Sequence, residues 1–286
     1  MVICGTIVDI ERILDGYRNK GEHVGFVPTM GALHEGHISL LQAAKKENKI
    51  TVCSIFVNPN QFNDQNDLAR YPRMPEKDCK MLEENGCDVV FMPSVNEIYP
   101  TPDTRVFDFG TIDKVLDGAH RPGHFNGVAQ VVSRLFAIVK PDKAYFGLKD
   151  YQQVLVIKKM VEQLHLPVEI VACPILREPD GLAMSSRNML LNAEERKAAS
   201  LIPKLMNEAK NLAAKIPLTD LKNKLSEEIK TEPLLKPDYI EFCDADTLES
   251  LSETTLRQAQ GDRKKIICLA AIFSGKIRLI DNIFVN

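Results

Sequence analysis

Short apolar runs alternate with helical patterns through roughly the first 175 residues, and few architectures tolerate that rhythm. Residues 24–28 read as a buried strand and residues 38–48 as the helix after it. Residues 50–57 are a second strand, 75–85 a helix and 88–92 a third strand. Apolar residues return at helical spacing over 127–139, a strand follows at 144–146, a helix at 151–163 and a last strand at 168–174. Strand, helix, strand, helix in this order predicts an α/β unit, a Rossmann-like parallel sheet with helices on both faces. Ligands of such sheets sit beyond the carboxyl ends of the strands.

The texture changes after Arg177-Glu-Pro-Asp-Gly181, a turn cluster that reads as a hinge. Residues 193–215 and 219–230 are amphipathic helical patterns rich in Lys and Glu, followed by strand patterns at 239–243, 266–273 and 277–283. The 286 residues therefore divide into a Rossmann-like domain over 1–177 and a smaller α+β domain over 178–286. Chains of this length hold about two domains. With 36 basic and 39 acidic residues the net charge is −3, which argues against a general nucleic-acid binder, since such domains are strongly basic. Seven cysteines with no C-x-x-C pair read as scattered reduced thiols, neither a disulfide framework nor a zinc cluster. No apolar run reaches the roughly 18 residues of a membrane span. The first residues lack the basic start and small-residue cleavage site of a signal peptide, so the expected location is cytoplasmic.

Chemistry is concentrated in four stretches. In Val27-Pro-Thr-Met-Gly-Ala-Leu-His-Glu-Gly-His37 a strand ends and a helix begins. Gly31 and Gly36 have phosphate-loop spacing, but His37 and Ile38 stand where a Walker loop has Lys and Ser or Thr. A glycine turn at a helix N-terminus still suits an anion, and His34 and His37, three apart, can share a helix face. A zinc reading exists as well, with His120 and His124 as further ligands, although Pro122 and Gly123 break any helix there. Met184-Ser-Ser-Arg-Asn188 offers hydroxyls and a guanidinium to phosphate oxygens, beside a turn that could move. Phe146-Gly-Leu-Lys-Asp150 ends a strand with a glycine, a point charge and a carboxylate; a plain strand-end turn would look the same. Asn58 and Gln61 follow a predicted central strand, and Gln153 lies one turn into a helix; these amides suit a small hydroxylated acid or, equally, turn capping.

Taken together, these stretches resemble a known family. Pro28-Thr-Met-Gly-Ala-Leu-His-Glu-Gly-His37 resembles the HIGH-type signature of the nucleotidyltransferase superfamily, and Met184-Ser-Ser-Arg187 its KMSKS-type loop. Ser54-Ile-Phe-Val-Asn-Pro-Asn-Gln-Phe62, Tyr71-Pro-Arg73, Arg121-Pro-Gly-His-Phe-Asn-Gly-Val128 and Phe146-Gly-Leu-Lys-Asp-Tyr-Gln-Gln153 are similar to the pantoate–β-alanine ligase family. The last third is similar in length and pattern only. The resemblance implies attack of a pantoate carboxylate on the α-phosphorus of ATP, release of pyrophosphate, and capture of pantoyl adenylate by β-alanine to give pantothenate and AMP. It implies ATP contacts from Met30, Gly31, Ala32, Leu33, His34, Glu35, Gly36, His37, Gly147, Leu148, Lys149, Asp150, Leu176, Met184, Ser185, Ser186 and Arg187. Among these His34, His37, Lys149, Ser185, Ser186 and Arg187 would act on the phosphates, with His37 the proton donor to pyrophosphate. Gln61 and Gln153 would hold pantoate, and Gln61 would also face β-alanine. Magnesium is expected on the phosphates with Asp78 as its neighbour. The resemblance also implies a homodimer, small-molecule substrates and no nucleic-acid or membrane partner. A different nucleotidyltransferase, a nucleotide sensor that releases no pyrophosphate and a metal hydrolase are the rival readings.

Overall fold

The computed structural model describes residues 1–63, 65–251 and 265–286. It clusters into two compact units, residues 1–148 with 152–174, and residues 149–151 with 175–286.

The first unit holds β1 (Val2–Cys4), α1 (Ile7–Arg18), β2 (Val24–Thr29), α2 (Glu35–Glu47), β3 (Ile50–Ile55), α3 (Gln65–Arg70), α4 (Pro75–Glu84) and β4 (Val89–Phe91). It continues with α5 (Val95–Ile98), α6 (Asp117–His120), α7 (His124–Val139), β5 (Lys143–Gly147), most of α8 (Tyr151–Gln163) and β6 (Glu169–Cys173). The six strands pair in the order β1-β4-β3-β2-β5-β6, all parallel. Two apolar layers sandwich the sheet. Phe26, Val52, Val89, Phe91 and Phe146 face one side with α7 residues such as Val132 and Phe136. Val27, Cys53, Val90 and Tyr145 face the other with Leu41 and Ala44 of α2. Alternation of faces along each strand explains this split, and burial on both sides explains why the central strands read as unbroken apolar runs.

The chain order reverses at β2. It runs outward through β3 and β4 on one side, then returns to place β5 on the other. That switch point puts the ends of β2 and β5 side by side, where open α/β sheets bind ligands. Pro28, unexpected in a central strand, lies beyond the last β2–β5 pair, Phe26 with Ala144, so its missing N–H interrupts no bond to β5.

The second unit holds α9 (Ala193–Ala199), α10 (Leu201–Leu212), α11 (Leu218–Lys230), β7 (Leu235–Asp244), β8 (Ile266–Ser274) and β9 (Ile277–Phe284). The strands form an antiparallel sheet, β7-β8-β9. Leu205, Met206, Leu221 and Leu225 of its helices pack on Phe242, Cys268, Ala270 and Leu279. The single long helix expected at 193–215 is broken at Ser200 into α9 and α10. The turn cluster Arg177–Gly181 is the tip of a hairpin inside this unit. Arg177 pairs with Ala183, and the Glu178 N–H donates to the Leu182 carbonyl at 2.9 Å. Six of the seven cysteines are buried. Burial pushes Cys87 up to about 11 and Cys243 up to about 12, so these thiols stay protonated and serve as packing.

Candidate active site

The segment that leaves β2 turns through two successive left-handed residues, Gly31 at φ 78° and Ala32 at φ 50°. Gly31 also lacks room for a side chain: a Cβ there would lie 3.0 Å from Asp78 Oδ2 and 3.1 Å from Ile55 Cγ2. Asp78, on α4 and 1% exposed, holds this turn. Its Oδ2 accepts the Ala32 N–H and its Oδ1 the Leu33 N–H, each at 2.8 Å. The Gly31 N–H goes to Thr29 Oγ1, whose hydroxyl in turn donates to the Ser54 carbonyl of β3. The loop's inner amides are thus spent on a buried carboxylate, and an incoming anion must be met by other donors.

The histidines supply them. His34 is the N-cap of α2: its Nδ1 accepts the Gly36 N–H at 3.1 Å, and His37 Nδ1 accepts the His34 N–H at 3.3 Å. A nitrogen that accepts carries no proton, so each neutral ring bears its hydrogen on Nε2. The rings lie 4.1 Å apart. A reciprocal capping arrangement normally built from Ser and Glu is built here from two imidazoles, which fixes both tautomers and both ring positions.

The amide cluster adjoins this loop. The Gln61 Nε2–H donates to Met30 Sδ at 2.8 Å, joining the turn after β3 to the loop after β2. Asn58 sets which way the Gln61 amide faces. Its Nδ2 donates to Gln61 Oε1 at 3.2 Å and to the Gly127 carbonyl at 3.0 Å, while its Oδ1 accepts from Tyr99 Oη at 3.0 Å. The backbone of Gln61 is clamped by His124. Arg121 only donates, so His124 Nε2, 3.2 Å from Arg121 Nη1, accepts, and the His124 Nδ1–H donates to the Gln61 carbonyl at 2.8 Å. With both nitrogens engaged in this way, His124 serves the amide cluster rather than a zinc ion. Gly127 permits the approach of α7 to this turn, since a Cβ there would lie 2.3 Å from the Asn60 carbonyl oxygen.

Of two adjacent glutamines in α8, only one is open to a ligand. Gln152 is buried and bound to the backbone of Asp117, Ile112 and Val115. Gln153 is half-buried, and its side chain makes no hydrogen bond among the described residues.

Tyr99 is fixed in turn by Arg134, whose guanidinium lies 5.1 Å from its ring centre. The Asp103 carboxylate, 1% exposed as a side chain, anchors Arg134 at 2.7 Å and Arg105 at 2.6 Å. Arg105 above all, then Arg134, holds the Asp103 carboxyl well below its ordinary value of 3.8, against the opposing pull of burial. A depressed folded value stabilises the protein above pH 3.8 and is lost as pH falls below it. Asp103→Asn is therefore expected to cost on the order of 3 kcal/mol at pH 7. The gap to wild type should close as urea unfolding is repeated below pH 3.8; a gap that stays constant with pH overturns this assignment.

In the second unit, Lys149 and Asp150 follow β5, with Lys149 Nζ 3.5 Å from Asp150 Oδ1. The hairpin brings Leu176 and Met184 together, the Met184 N–H donating to the Leu176 carbonyl at 3.0 Å. Leu176 is 40% exposed, an apolar surface suited to a nucleoside base. Ser185 caps the turn Ser186–Leu190 by accepting the Arg187 N–H at 3.3 Å, and Ser186 is buried. Asn188 ties this turn to the hairpin through Glu178 Oε1 at 2.6 Å and the Ala183 carbonyl at 3.1 Å. Gly147 ends β5 and Leu148 is half-buried beside it, whereas Glu35 is exposed on α2.

A family model described as pantoate-beta-alanine ligase matches residues 2–284. The pantothenate synthetase of Porphyromonas gingivalis is 48% identical over 283 residues, covering 99% of each chain. That of Bacteroides thetaiotaomicron is 47% identical, over 99% of this chain and 98% of its own. The crystal structure of pantothenate synthetase from Thermus thermophilus superposes with a TM-score of 0.91 at 40% identity, over 100% and 99% of the two chains. A pantoate-beta-alanine ligase from Francisella tularensis, complexed with beta-gamma ATP and beta-alanine, gives 0.84 at 36% identity, over 100% and 98%.

Proposed function

The chain belongs to the pantoate-beta-alanine ligase family, and from that premise we propose that it condenses pantoate with β-alanine, turning ATP into AMP and pyrophosphate by way of pantoyl adenylate. A carboxylate oxygen leaves poorly and AMP leaves well, so adenylation makes the acyl carbon attackable by an amine. The first step forms a bond from the pantoate carboxylate oxygen to the α-phosphorus and breaks the bond to pyrophosphate. The second forms the amide bond and breaks the acyl–phosphate bond.

The observation that carries this reading is the pairing of two tautomer-fixed imidazoles with an oriented glutamine amide at the end of β2. The Nε2–H groups of His34 and His37 are donors for phosphate oxygens, and His37 follows the charge that builds on departing pyrophosphate. Lys149, Ser185, Ser186 and Arg187 bind the polyphosphate, as a point charge, hydroxyls and a fork. Met30, Gly147, Asp150, Leu176 and Met184 take the adenosine part. Gln61 and Gln153 bind pantoate, and Gln61 also meets β-alanine.

Magnesium enters as part of the substrate. Among the described residues no group of three or more His, Cys, Asp or Glu is arranged to hold a metal ion, and Asp78 has both oxygens on backbone amides. Magnesium that keeps water and phosphate oxygens as ligands needs no protein cage. A cytoplasmic location and a homodimer complete the proposal. No helix among the described residues is long and apolar enough to cross a membrane.

Protein, Mg-ATP and a panel of small carboxylic acids, assayed for pyrophosphate, test the reading. Release is expected with pantoate, and AMP with pantothenate once β-alanine is added. Equal release with every acid overturns the substrate, and nucleotide binding with no release overturns the reaction.

A further inference from the structure

We propose that Asn282, with its neighbour Asp281, is a positioning residue for adenylate formation: it fixes the main chain at Lys149 to the same strand that fixes the hairpin carrying Leu176 and Met184. This rests on the reading above, in which Lys149 acts on the phosphates.

Successive residues of a strand face opposite sides of its sheet, and β9 uses both sides. Leu279 and Ile283, in phase with Asp281, belong to the core under the helices, whereas Asn282 and Phe284 face the other way. On that second face lies the short strap of residues 149–151. The Asn282 Nδ2–H donates to the Lys149 carbonyl at 3.0 Å. Two residues on, the Phe284 ring meets the Tyr151 ring edge-on at 5.7 Å. The Tyr151 hydroxyl donates to the Ala245 carbonyl at 2.9 Å. Each end of the strap is thus held.

Asp281 holds the hairpin. Its carboxylate, 2% exposed as a residue, receives Arg177 in a fork, Nη1 to Oδ2 at 2.7 Å and Nη2 to Oδ1 at 2.9 Å. Arg177 Nη1 also donates to the Gly181 carbonyl at 3.0 Å across the hairpin tip. The Asn282 N–H donates to Asp281 Oδ1 at 2.7 Å, which couples the two side chains. Two adjacent residues therefore set the spacing between a phosphate-binding lysine and an adenosine-binding hairpin.

The residue type follows from the chemistry. The partner of position 282 is a carbonyl oxygen, so the side chain must donate. Asparagine does, whereas aspartate at that position would set a carboxylate against a carbonyl oxygen with no proton between them. Lysine has a long, flexible stem, and only its root can be fixed by the fold. A misplacement of about 1 Å at a catalytic group costs on the order of a hundredfold in rate.

The test is a double-mutant cycle on single-turnover pyrophosphate release. Asn282→Ala and Asn282→Asp are made alone and together with Lys149→Ala, with circular dichroism to select folded protein. Asn282→Asp keeps the volume, so it serves if the alanine variant misfolds. The expected result is a fall in the release rate of about tenfold to a hundredfold, with KM for pantoate unchanged. In the Lys149→Ala background the same change should then do little, because residues acting as a unit are non-additive. Wild-type rates in both folded Asn282 variants overturn the proposal, and so does a loss that multiplies with that of Lys149→Ala. If Lys149→Ala alone keeps the wild-type rate, it is the role of Lys149 that fails.

Discussion

An Asp78→Ala variant is expected to lose adenylate formation by a hundredfold or more and to unfold several kcal/mol more easily. Both losses have one cause. Asp78 is buried, and its two oxygens accept the amides of Ala32 and Leu33. Removing the carboxylate orphans both N–H groups, at about 1–3 kcal/mol each. It also frees a turn in which Ala32 already sits in the left-handed region at φ 50°, a conformation that persists only when its surroundings impose it. A relaxed turn carries Met30 and His34 away from their places, and the cost in rate follows from geometry. Asp78→Asn separates this account from the metal reading of the same residue. Asparagine offers one acceptor where two are needed, so one amide stays unmatched and part of both losses remains. Magnesium at any concentration is not expected to restore the rate. Recovery of Asp78→Asn at raised magnesium, with wild-type urea stability, overturns the structural role argued for Asp78.

Much of this was legible in the residues, and what was hidden had a physical reason. The strands from residue 24 to 174 announce themselves because burial on both faces leaves uninterrupted apolar runs. The loop of Gly31, His34 and His37 was visible because glycine and histidine beside a strand end have few other uses. Asp78 enters from the sequence only as the magnesium neighbour that the resemblance implies, whereas its place in the fold depends on two amides more than forty positions away. Such a bond leaves no spacing pattern. Tyr99 carries no signal in the sequence, and His124 reads there as a zinc ligand, for the same reason: each acts on Asn58 or Gln61 from a distant segment. The strand β1 leaves no apolar signature because Val2 and Ile3 are exposed and it is only three residues long. Asn282 lies in a strand that reads as plain sheet, and nothing in its neighbours indicates a bond spanning 133 positions. Periodicity reveals what an element buries, whereas a side chain's long-range partner becomes visible only in the fold.

His37→Ala is expected to slow pyrophosphate release by roughly a hundredfold or more, the usual loss for one transition-state contact. Alanine removes two things at once, however, and conservative variants tell them apart. The Nδ1 atom accepts the His34 N–H at 3.3 Å and so helps cap α2, while Nε2–H is the donor assigned to phosphate. Asparagine places an acceptor near the position of Nδ1 and lacks the reach of Nε2. Glutamine reaches that far with an N–H and gives up the capping acceptor. If His37 works through Nε2–H, then His37→Gln retains more activity than His37→Asn, although His37→Asn is the more stable of the two in urea. The capping bond is long and its loss costs only about 0.5–1 kcal/mol, so stability and rate should move in opposite directions between these variants. A parallel ordering, with the more stable variant also the faster, means that His37 contributes by capping the helix, and the role of Nε2–H as a hydrogen-bond donor to phosphate would then be withdrawn.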